Sequence, residues 1–147
     1  MPDENPAEGG VVAQRLTHLF STVHPAGRKP YGTTEVAKAI NEKAGEQILS
    51  PTYLWQLKTG KRTDPTHSRL KAIADFFGVQ VAYFYEDDTA RRTDEQLELA
   101  AALSNPLVRR LALAANGLSG DSLDAMLTMI QTARRIEGLQ PAESEGA

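Results

Sequence analysis

The first half of the chain places apolar residues at helical spacing, in short runs separated by glycine and proline. One run stops before Pro25 and follows the i, i+4, i+7, i+8 and i+11 positions of a single helical face: Val12, Leu16, Leu19, Phe20 and Val23. A second run ends near Ala44, with Gly45 just beyond it, and turns three residues inward: Val36, Ala37 and Ile40. Thr33 or Thr34 is the predicted N-cap of this second helix, because a hydroxyl side chain satisfies one of the first backbone amides.

The third predicted helix has the clearest boundaries. Ser50 is suited to the N-cap, Pro51 to the first helical position and Gly60 to the position after the last turn, which is the usual order of these residue types at helix ends. Leu54 and Leu57 form its buried edge. We therefore predict a short helix between Ser50 and Gly60 whose opposite face is available to another molecule.

Two further elements complete the first half. A fourth helix is predicted from about Thr66 to Phe77, with Gly78 as its terminator and an apolar face made of Leu70, Ile73, Ala74 and Phe77. A short turn from Val81 to Tyr85 closes the core. Together these elements predict one compact helical domain over residues 11–85.

The second half is also predicted to be helical, after a charged stretch that we interpret as a linker over residues 86–92. Thr93 with Gln96 forms a capping-box pattern, Asn105-Pro106 restarts the chain, and Ser119 suits the cap of a last helix that ends near Gly138. No strand pattern is of comparable strength, so we expect an all-α fold with a small helical domain over residues 93–138. Residues 1–10 and 139–147 are expected to be a disordered lead and tail.

Charge is distributed unevenly between the two halves. The whole chain has a net charge of −3, which by itself argues against a nucleic-acid partner. Residues 11–85, however, hold ten Lys or Arg and five Asp or Glu, a net charge of +5, whereas residues 86–147 hold six Arg and eleven acids, a net charge of −5. The basic half therefore suits a phosphate backbone, and we expect a different function in each half.

Several function classes lack the residues that they need. The chain has no cysteine, which excludes disulfides, thiolate metal sites and thiol nucleophiles. His18, His24 and His67 lie in different segments, none beside a nucleophile motif, and no group of residues has metal-ligand spacing. The chain also lacks a membrane-spanning apolar run and a signal-peptide pattern. We therefore expect a cytoplasmic protein that is not an enzyme, has no catalytic residues, metal or cofactor, and shows no evident small-molecule effector.

Three segments in order resemble the Xre (Cro/C1-type) helix-turn-helix family: TTEVAKAI from Thr33, ILSPTYLWQLKTGKR from Ile48 and LKAIADFFGVQVAYFY from Leu70. Within that family the chain is similar to EspR-like regulators, which share the Tyr-Leu-x-Gln-Leu…Gly-x-Arg-Thr-x-Pro run that begins here at Tyr53. The resemblance implies a five-helix, lambda-repressor-like DNA-binding domain, a helical C-terminal dimerisation domain and a nucleoid location. One feature departs from the tight motif: the connection over residues 45–49 is longer than three or four residues, which leaves the angle between the two helices open.

DNA recognition by such a domain gives the third-helix residues different roles. Thr52, Tyr53 and Gln56 are the predicted base-contacting residues, because Gln pairs with the N6/N7 edge of adenine and Thr can touch a thymine methyl, whereas Tyr suits a base or a phosphate. Phosphate contacts are predicted for residues with hydroxyl groups or amides at helix starts and for polar or positively charged residues at the end of the third helix. These residues are Thr33, Thr34, Ser50, Lys58, Lys61, Arg62 and Thr63. Trp55 is expected to pack against helix 2 or the domain flank and is left out of the interface.

The last predicted helix has more apolar residues than one stripe needs: Leu123, Met126, Leu127, Met129, Ile130, Ala133 and Ile136. An intradomain core is one explanation and a ligand pocket is another, but we favour a homodimer, since a second copy raises the effective concentration at paired half-sites. The resulting hypothesis is a sequence-specific transcriptional regulator or nucleoid-associated protein that binds double-stranded DNA as a homodimer. The alternative is a protein-interaction adaptor that keeps the fold without binding DNA.

Overall fold

A computed structural model of the chain describes residues 10–25 and 27–141. These residues form seven α-helices and one 3₁₀ helix, and no strand is present among them, which confirms the predicted all-α class. The helices are α1 (Gly10–Thr22), α2 (Thr33–Ala44), α3 (Pro51–Thr59), α4 (His67–Phe77), the 3₁₀ helix (Val81–Phe84), α5 (Asp87–Leu103), α6 (Pro106–Ala115) and α7 (Gly120–Ile136). Within the described ranges, none of the helices combines the length and apolar content required to cross a membrane. The predicted disordered lead and tail lie outside the described residues, except for residue 10 and residues 139–141.

Caps and left-handed glycines set several helix ends where the sequence predicts them. The Ser50 hydroxyl accepts a hydrogen bond from the Tyr53 amide at 3.0 Å, and Ser119 caps α7 in the same way. Gly45 and Gly60 follow α2 and α3 with φ of 72° and 81°, a conformation that L side chains rarely adopt. These ends depend on neighbouring residues alone, which is why the sequence predicts them.

α2 begins one or two residues earlier than an N-cap at Thr33 or Thr34 predicts. Gly32, with an extended backbone (φ −85°, ψ 160°), precedes the helix and provides no side-chain cap. Thr33 and Thr34 are therefore the first two helical residues, and neither is the N-cap. Glycine is tolerated there because solvent can satisfy amides that no side chain caps.

One apolar core holds the first four helices, the 3₁₀ helix and α5 together. Every residue predicted to point inward from α2, α3 and α4 is buried in it. Phe20 of α1 and Phe77 of α4 meet edge to face with their ring centroids 5.2 Å apart, a favoured arrangement of aromatic rings. Because truncation of a buried leucine in such a core costs about 2–5 kcal/mol, the core holds α2 and α3 firmly in place.

The segment predicted to be a linker is helical. α5 begins at Asp87 and continues without a break to Leu103, and its Ala90 is buried in the core. Thr93 and Gln96 consequently lie inside this helix and do not form a capping box at a helix start. The compact unit that contains the core extends to residue 105, and a second unit begins at residue 106. The division lies later than the predicted linker because charged residues on an exposed helix face resemble a loop in composition.

Polar contacts join α5 to α1 and the 3₁₀ helix. The Arg15 guanidinium donates to the Tyr83 carbonyl at 2.7 Å and to the Asp87 carboxylate at 2.5 Å. The Tyr83 hydroxyl donates to Asp94 at 2.6 Å, and Nε2 of His18 lies 3.2 Å from the same carboxylate. Burial and the hydrogen bond to Asp94 raise the pKa of Tyr83 well above its ordinary value. The first half of α5 is therefore an integral part of the first unit.

The second unit consists of α6 and α7, and none of its described residues is buried. Large apolar side chains are exposed on both helices, including Leu113 (70%), Met129 (71%) and Ile136 (81%). Helices in water owe most of their stability to packing of an apolar face. This pair of helices therefore buries too little within its own unit to account for its apolar composition.

Candidate nucleic-acid interface

α3 presents a narrow outward face. Leu54 and Leu57 are fully buried. At 100° per residue, the direction opposite to these two leucines carries Thr52, Trp55, Gln56 and Thr59. Thr52 and Trp55 are exposed and Gln56 is half-buried. Two of the predicted base-contacting residues, Thr52 and Gln56, thus lie on the side that another molecule can reach.

Tyr53, the third predicted base-contacting residue, stands at the edge of this face between two guanidinium groups. The Cζ atoms of Arg62 and Arg69 lie 4.8 Å and 4.6 Å from its ring centroid, within the range of a cation–π interaction. Arg62 also donates through Nε to Oε1 of Gln56 at 3.3 Å. This bond uses one of the two lone pairs of the amide oxygen, so that the other lone pair and the amide nitrogen stay available. The hydrogen bond from Arg62 therefore orients the Gln56 amide and is compatible with bidentate pairing to adenine.

The long connection between α2 and α3 is held by side chains from two helices. Asn41 of α2 accepts hydrogen bonds from the Ile48 amide at 2.8 Å and the Leu49 amide at 3.2 Å, and donates to the Leu49 carbonyl at 2.7 Å. Arg69 of α4 donates through Nε to the Ile48 carbonyl at 3.0 Å. Leu49 is itself buried in the core. The angle that the sequence leaves open is therefore determined by contacts from outside the connection.

The N-termini of α2 and α3 differ in what they offer to an anion. At α3, Pro51 has no N–H and the Ser50 hydroxyl already binds the Tyr53 amide, so that within the described chain only the Thr52 amide of the first turn is without a partner. At α2, no side chain caps the helix, and the amides of residues 33–35 have no partner in the described ranges. α2 is therefore the better of the two helix ends for binding a phosphate through backbone amides.

Four cations around α3 have no carboxylate partner among the described residues: Lys58, Lys61, Arg62 and Arg69. Each lies 4.6 to 4.8 Å from the centroid of an aromatic ring instead. Five other cations of the first unit are paired with acids: Arg15, Arg28, Lys38, Lys71 and Arg91. Three more, Lys29, Lys43 and Arg92, have no carboxylate partner among the described residues but do not lie at α3. We call the four unpaired cations around α3 the third-helix basic cluster. It concentrates uncompensated positive charge around α3.

The predicted phosphate-contacting residues at the helix exit do not all face the same way. Lys61 lies over the Trp55 ring and Arg62 over the Tyr53 ring, so both border the outward face. Lys58 instead lies over Phe20 of α1, on the flank away from Gln56. Thr63 is exposed, and its side chain has no hydrogen-bond partner in the described part of the chain.

Trp55, which is not part of the predicted interface, is on the outward side of α3, and 43% of the residue is exposed. Its predicted packing against helix 2 or the domain flank stays a prediction. α3 has only nine residues, and Leu54 and Leu57 already fill its inner side. No core position is left for a second large side chain between them.

Asn41 and Arg69 hold the connection that leads into α3, a role that the sequence pattern does not indicate. Both act on backbone groups of the connection, which lie 7 to 21 positions away along the chain. No local pattern identifies such a role, because folding alone brings these groups together. The positive charge of Arg69 is visible in the sequence, but its proximity to Tyr53 is not.

The sequence of the chain was compared with those of known proteins. No family model matches it. Two curated relatives are described as nucleoid-associated protein EspR, from Mycobacterium tuberculosis strains CDC 1551 / Oshkosh and ATCC 25618 / H37Rv. Each is 38% identical over 127 residues, which cover 86% of this chain and 95% of the relative. The chain belongs to the EspR family. The predicted EspR-like relationship is thereby confirmed, whereas the wider Xre assignment stays a prediction.

α7 of this EspR-family chain carries all the residues predicted to form a dimer interface: Leu123, Met126, Leu127, Met129, Ile130, Ala133 and Ile136. Leu123 and Met126 are half-buried and the other five are exposed. At helical spacing they form two adjoining stripes, one around Leu123 and Ile130 and the other around Met129 and Ala133. The apolar surface is therefore broad, and its role in dimerisation stays a prediction.

Proposed function

We propose that this EspR-family chain is a nucleoid-associated transcriptional regulator that binds specific sites in double-stranded DNA by inserting α3 into the major groove. The observation that carries the proposal is the third-helix basic cluster, whose four cations have no carboxylate partner in the described structure. Phosphate binding requires such uncompensated charge. The description of the relatives as nucleoid-associated proteins supports the same function.

Base contacts are assigned to Thr52 and Gln56, with Tyr53 at their flank. Thr52 can bond a base edge or touch a thymine methyl, and the amide of Gln56 can pair with adenine while its oxygen still accepts from Nε of Arg62. The other guanidinium nitrogens of Arg62 stay available as donors to a phosphate. Recognition thus keeps the intramolecular hydrogen bond and adds one contact to a base and one to the DNA backbone.

Phosphate contacts are assigned to two places that flank α3. The first is the N-terminus of α2, where Thr33 and Thr34 add hydroxyls to uncapped amides. The second is the exit of α3: Lys58, Lys61, Arg62 and Thr63. Ser50 contributes less than the sequence suggests, because its hydroxyl already accepts the Tyr53 amide.

A salt titration tests the proposal. With three cations assigned to phosphate in each protomer of a dimer, Lys58, Lys61 and Arg62, the logarithm of DNA affinity should fall against the logarithm of salt concentration with a slope of about −5. Lys61→Gln should make the slope shallower by about 2 per dimer, whereas Lys71→Gln, whose native side chain is paired with Asp75, should leave it nearly unchanged. Absent binding, or an affinity that does not vary with salt, contradicts DNA binding and favours the protein-interaction adaptor.

We also propose that α7 forms a homodimer interface that brings two copies of α3 to paired half-sites. The support is the exposed apolar surface of the second unit, in which no described residue is buried. Covering such a surface with a second copy stabilises the helices, and self-complementary twofold interfaces are common among homodimers. If the dimer is rigid, its half-sites should lie about 34 Å apart or at a multiple of that distance. A flexible dimer could instead link distant sites.

Two charge insertions on α7 test the interface. Ile130→Glu introduces a carboxylate into the apolar stripe and should convert the dimer into a monomer in light scattering. Thr128→Glu introduces the same charge on an exposed position of the opposite side of α7 and should leave the dimer intact. A monomeric wild-type protein, or a dimeric Ile130→Glu variant, would contradict the assignment.

A further inference from the structure

Trp55 is a large apolar side chain on the most accessible part of α3. The residue is 43% exposed, and its neighbours on the outward face are Thr52 and Gln56. Around the axis of α3, Thr52 points between the directions of Trp55 and Gln56, and it lies one turn earlier along the helix. The three side chains therefore form one continuous surface. The indole lies at one side of this surface and leaves apolar area in water, which contact with an apolar group of a ligand would cover.

One face of the Trp55 ring is already occupied. The ammonium of Lys61 lies 4.6 Å from the ring centroid, and no carboxylate among the described residues competes for it. This cation–π contact restrains both side chains at the exit of α3. The apolar ring and the charge are therefore presented together, beside the residues assigned to base contact.

We infer that Trp55 is a further specificity-determining residue, which packs its indole against the 5-methyl group of a thymine in the major groove next to the base contacted by Gln56. The inference rests on the proposed function. Thymine alone presents a methyl group in the major groove, and apolar side chains recognise it without a hydrogen bond. Lys61, carried on the same ring, contacts the neighbouring phosphate. A protein partner is disfavoured because the surrounding third-helix basic cluster matches a polyanion.

The test uses the full chain and a library of duplexes with a randomised central segment. The wild-type protein should select a site with a thymine that Trp55→Ser no longer selects and that Trp55→Phe, which keeps an apolar ring, still selects. Tyr85→Ser is the matched control, because Tyr85 is an exposed aromatic residue (58%) of the same unit that does not lie on α3. It should select the same site as the wild-type protein.

A second measurement changes the DNA. Replacing the selected thymine by deoxyuridine removes only its methyl group and should weaken wild-type binding about fourfold, the value of one buried methyl group. Trp55→Ser should bind both duplexes equally. Trp55 is the single tryptophan of the chain, so its emission should change when the wild-type protein binds the selected duplex and should become less accessible to acrylamide.

The outcomes separate this inference from the proposed function. If the wild-type protein binds duplexes in a salt-dependent way but deoxyuridine has no effect and Trp55 emission is unchanged, the thymine contact is refuted and DNA binding stands. The same holds if folded Trp55→Ser selects the wild-type site, which would favour a protein-facing role for the indole. If no duplex is bound at any salt concentration, the proposed function fails and the inference fails with it.

Discussion

Replacing Asn41 should loosen α3, because the side chain of Asn41 holds the connection that leads into this helix. This side chain makes three hydrogen bonds to the backbone of Ile48 and Leu49, two accepted and one donated. Each such bond contributes about 0.5–1.5 kcal/mol, so Asn41→Ala should lower the free energy of unfolding by about 2–4 kcal/mol. Asn41→Asp keeps the two accepting contacts but sets a carboxylate against the Leu49 carbonyl, and should fall between the alanine variant and the wild type.

Urea unfolding at one fixed protein concentration measures this loss, followed through the emission of the single tryptophan, which lies on α3. Gln47→Ala is the matched control, because Gln47 is exposed in the same connection and its side chain makes no hydrogen bond within the described chain. It should change stability by less than about 0.5 kcal/mol. At temperatures where Asn41→Ala remains folded, it should also bind DNA more weakly, since α3 is less well oriented.

An Asn41→Ala variant as stable as the Gln47→Ala control would refute the argument that Asn41 holds the connection. Unchanged stability together with weakened DNA binding would instead indicate that Asn41 contacts DNA directly. A large loss of stability in both variants would show that the connection tolerates no truncation, and the special role of Asn41 would be lost.

The remaining predictions concern the affinity for DNA and the dependence of stability on pH. Gln56→Ala should cost about 1–3 kcal/mol of binding free energy at the specific site and relax base preference, whereas Lys61→Ala should weaken specific and random DNA alike; equal losses on both DNAs for both variants would contradict this division in a competition assay. Because burial raises the pKa of Tyr83, its ionisation opposes folding, and the stability that depends on its neutral form is lost as the pH rises above about 10. Tyr83→Phe lacks the hydrogen bond to Asp94 and should be less stable than the wild type near neutral pH. Above about pH 10, however, the melting temperature of this variant should decline less than that of the wild type, because phenylalanine cannot ionise. Parallel declines of the two melting temperatures would contradict the role of Tyr83.

Helix ends and inward faces could be predicted wherever they depend on residues close in sequence. Ser50 and Gly60 bound α3 because a hydroxyl can cap an amide three residues later and glycine can adopt a positive φ after the last turn. The spacing of Leu54 and Leu57 likewise determines which side of α3 is buried. Local patterns gave a wrong prediction where a charged composition is found in both linkers and exposed helices. Residues 87–92 are charged and were predicted to be part of a linker, but they form the start of α5.

The most specific contacts of the candidate interface could not be predicted from the sequence, because they join segments that only the folded chain brings together. Arg69 reaches Tyr53 and the Ile48 carbonyl because α4 packs beside the connection. The hydrogen bond from Arg62 to Gln56 depends on the path of the chain after Gly60. Whether a cation forms an ion pair with an acid or lies over an aromatic ring depends on such tertiary contacts. The composition of the chain does not distinguish these two arrangements.

By itself, the sequence determined the helical class, the charge difference between the two halves and the side of α3 that is buried, because periodicity, capping and charge are local or additive properties. The tertiary structure alone decided the orientation of α3, through Asn41 and Arg69, and the exposure of Trp55, through the filling of the core by Leu54 and Leu57. The physical reason is that burial and long-range hydrogen bonds depend on which segments meet, and that is settled only when the whole core is packed.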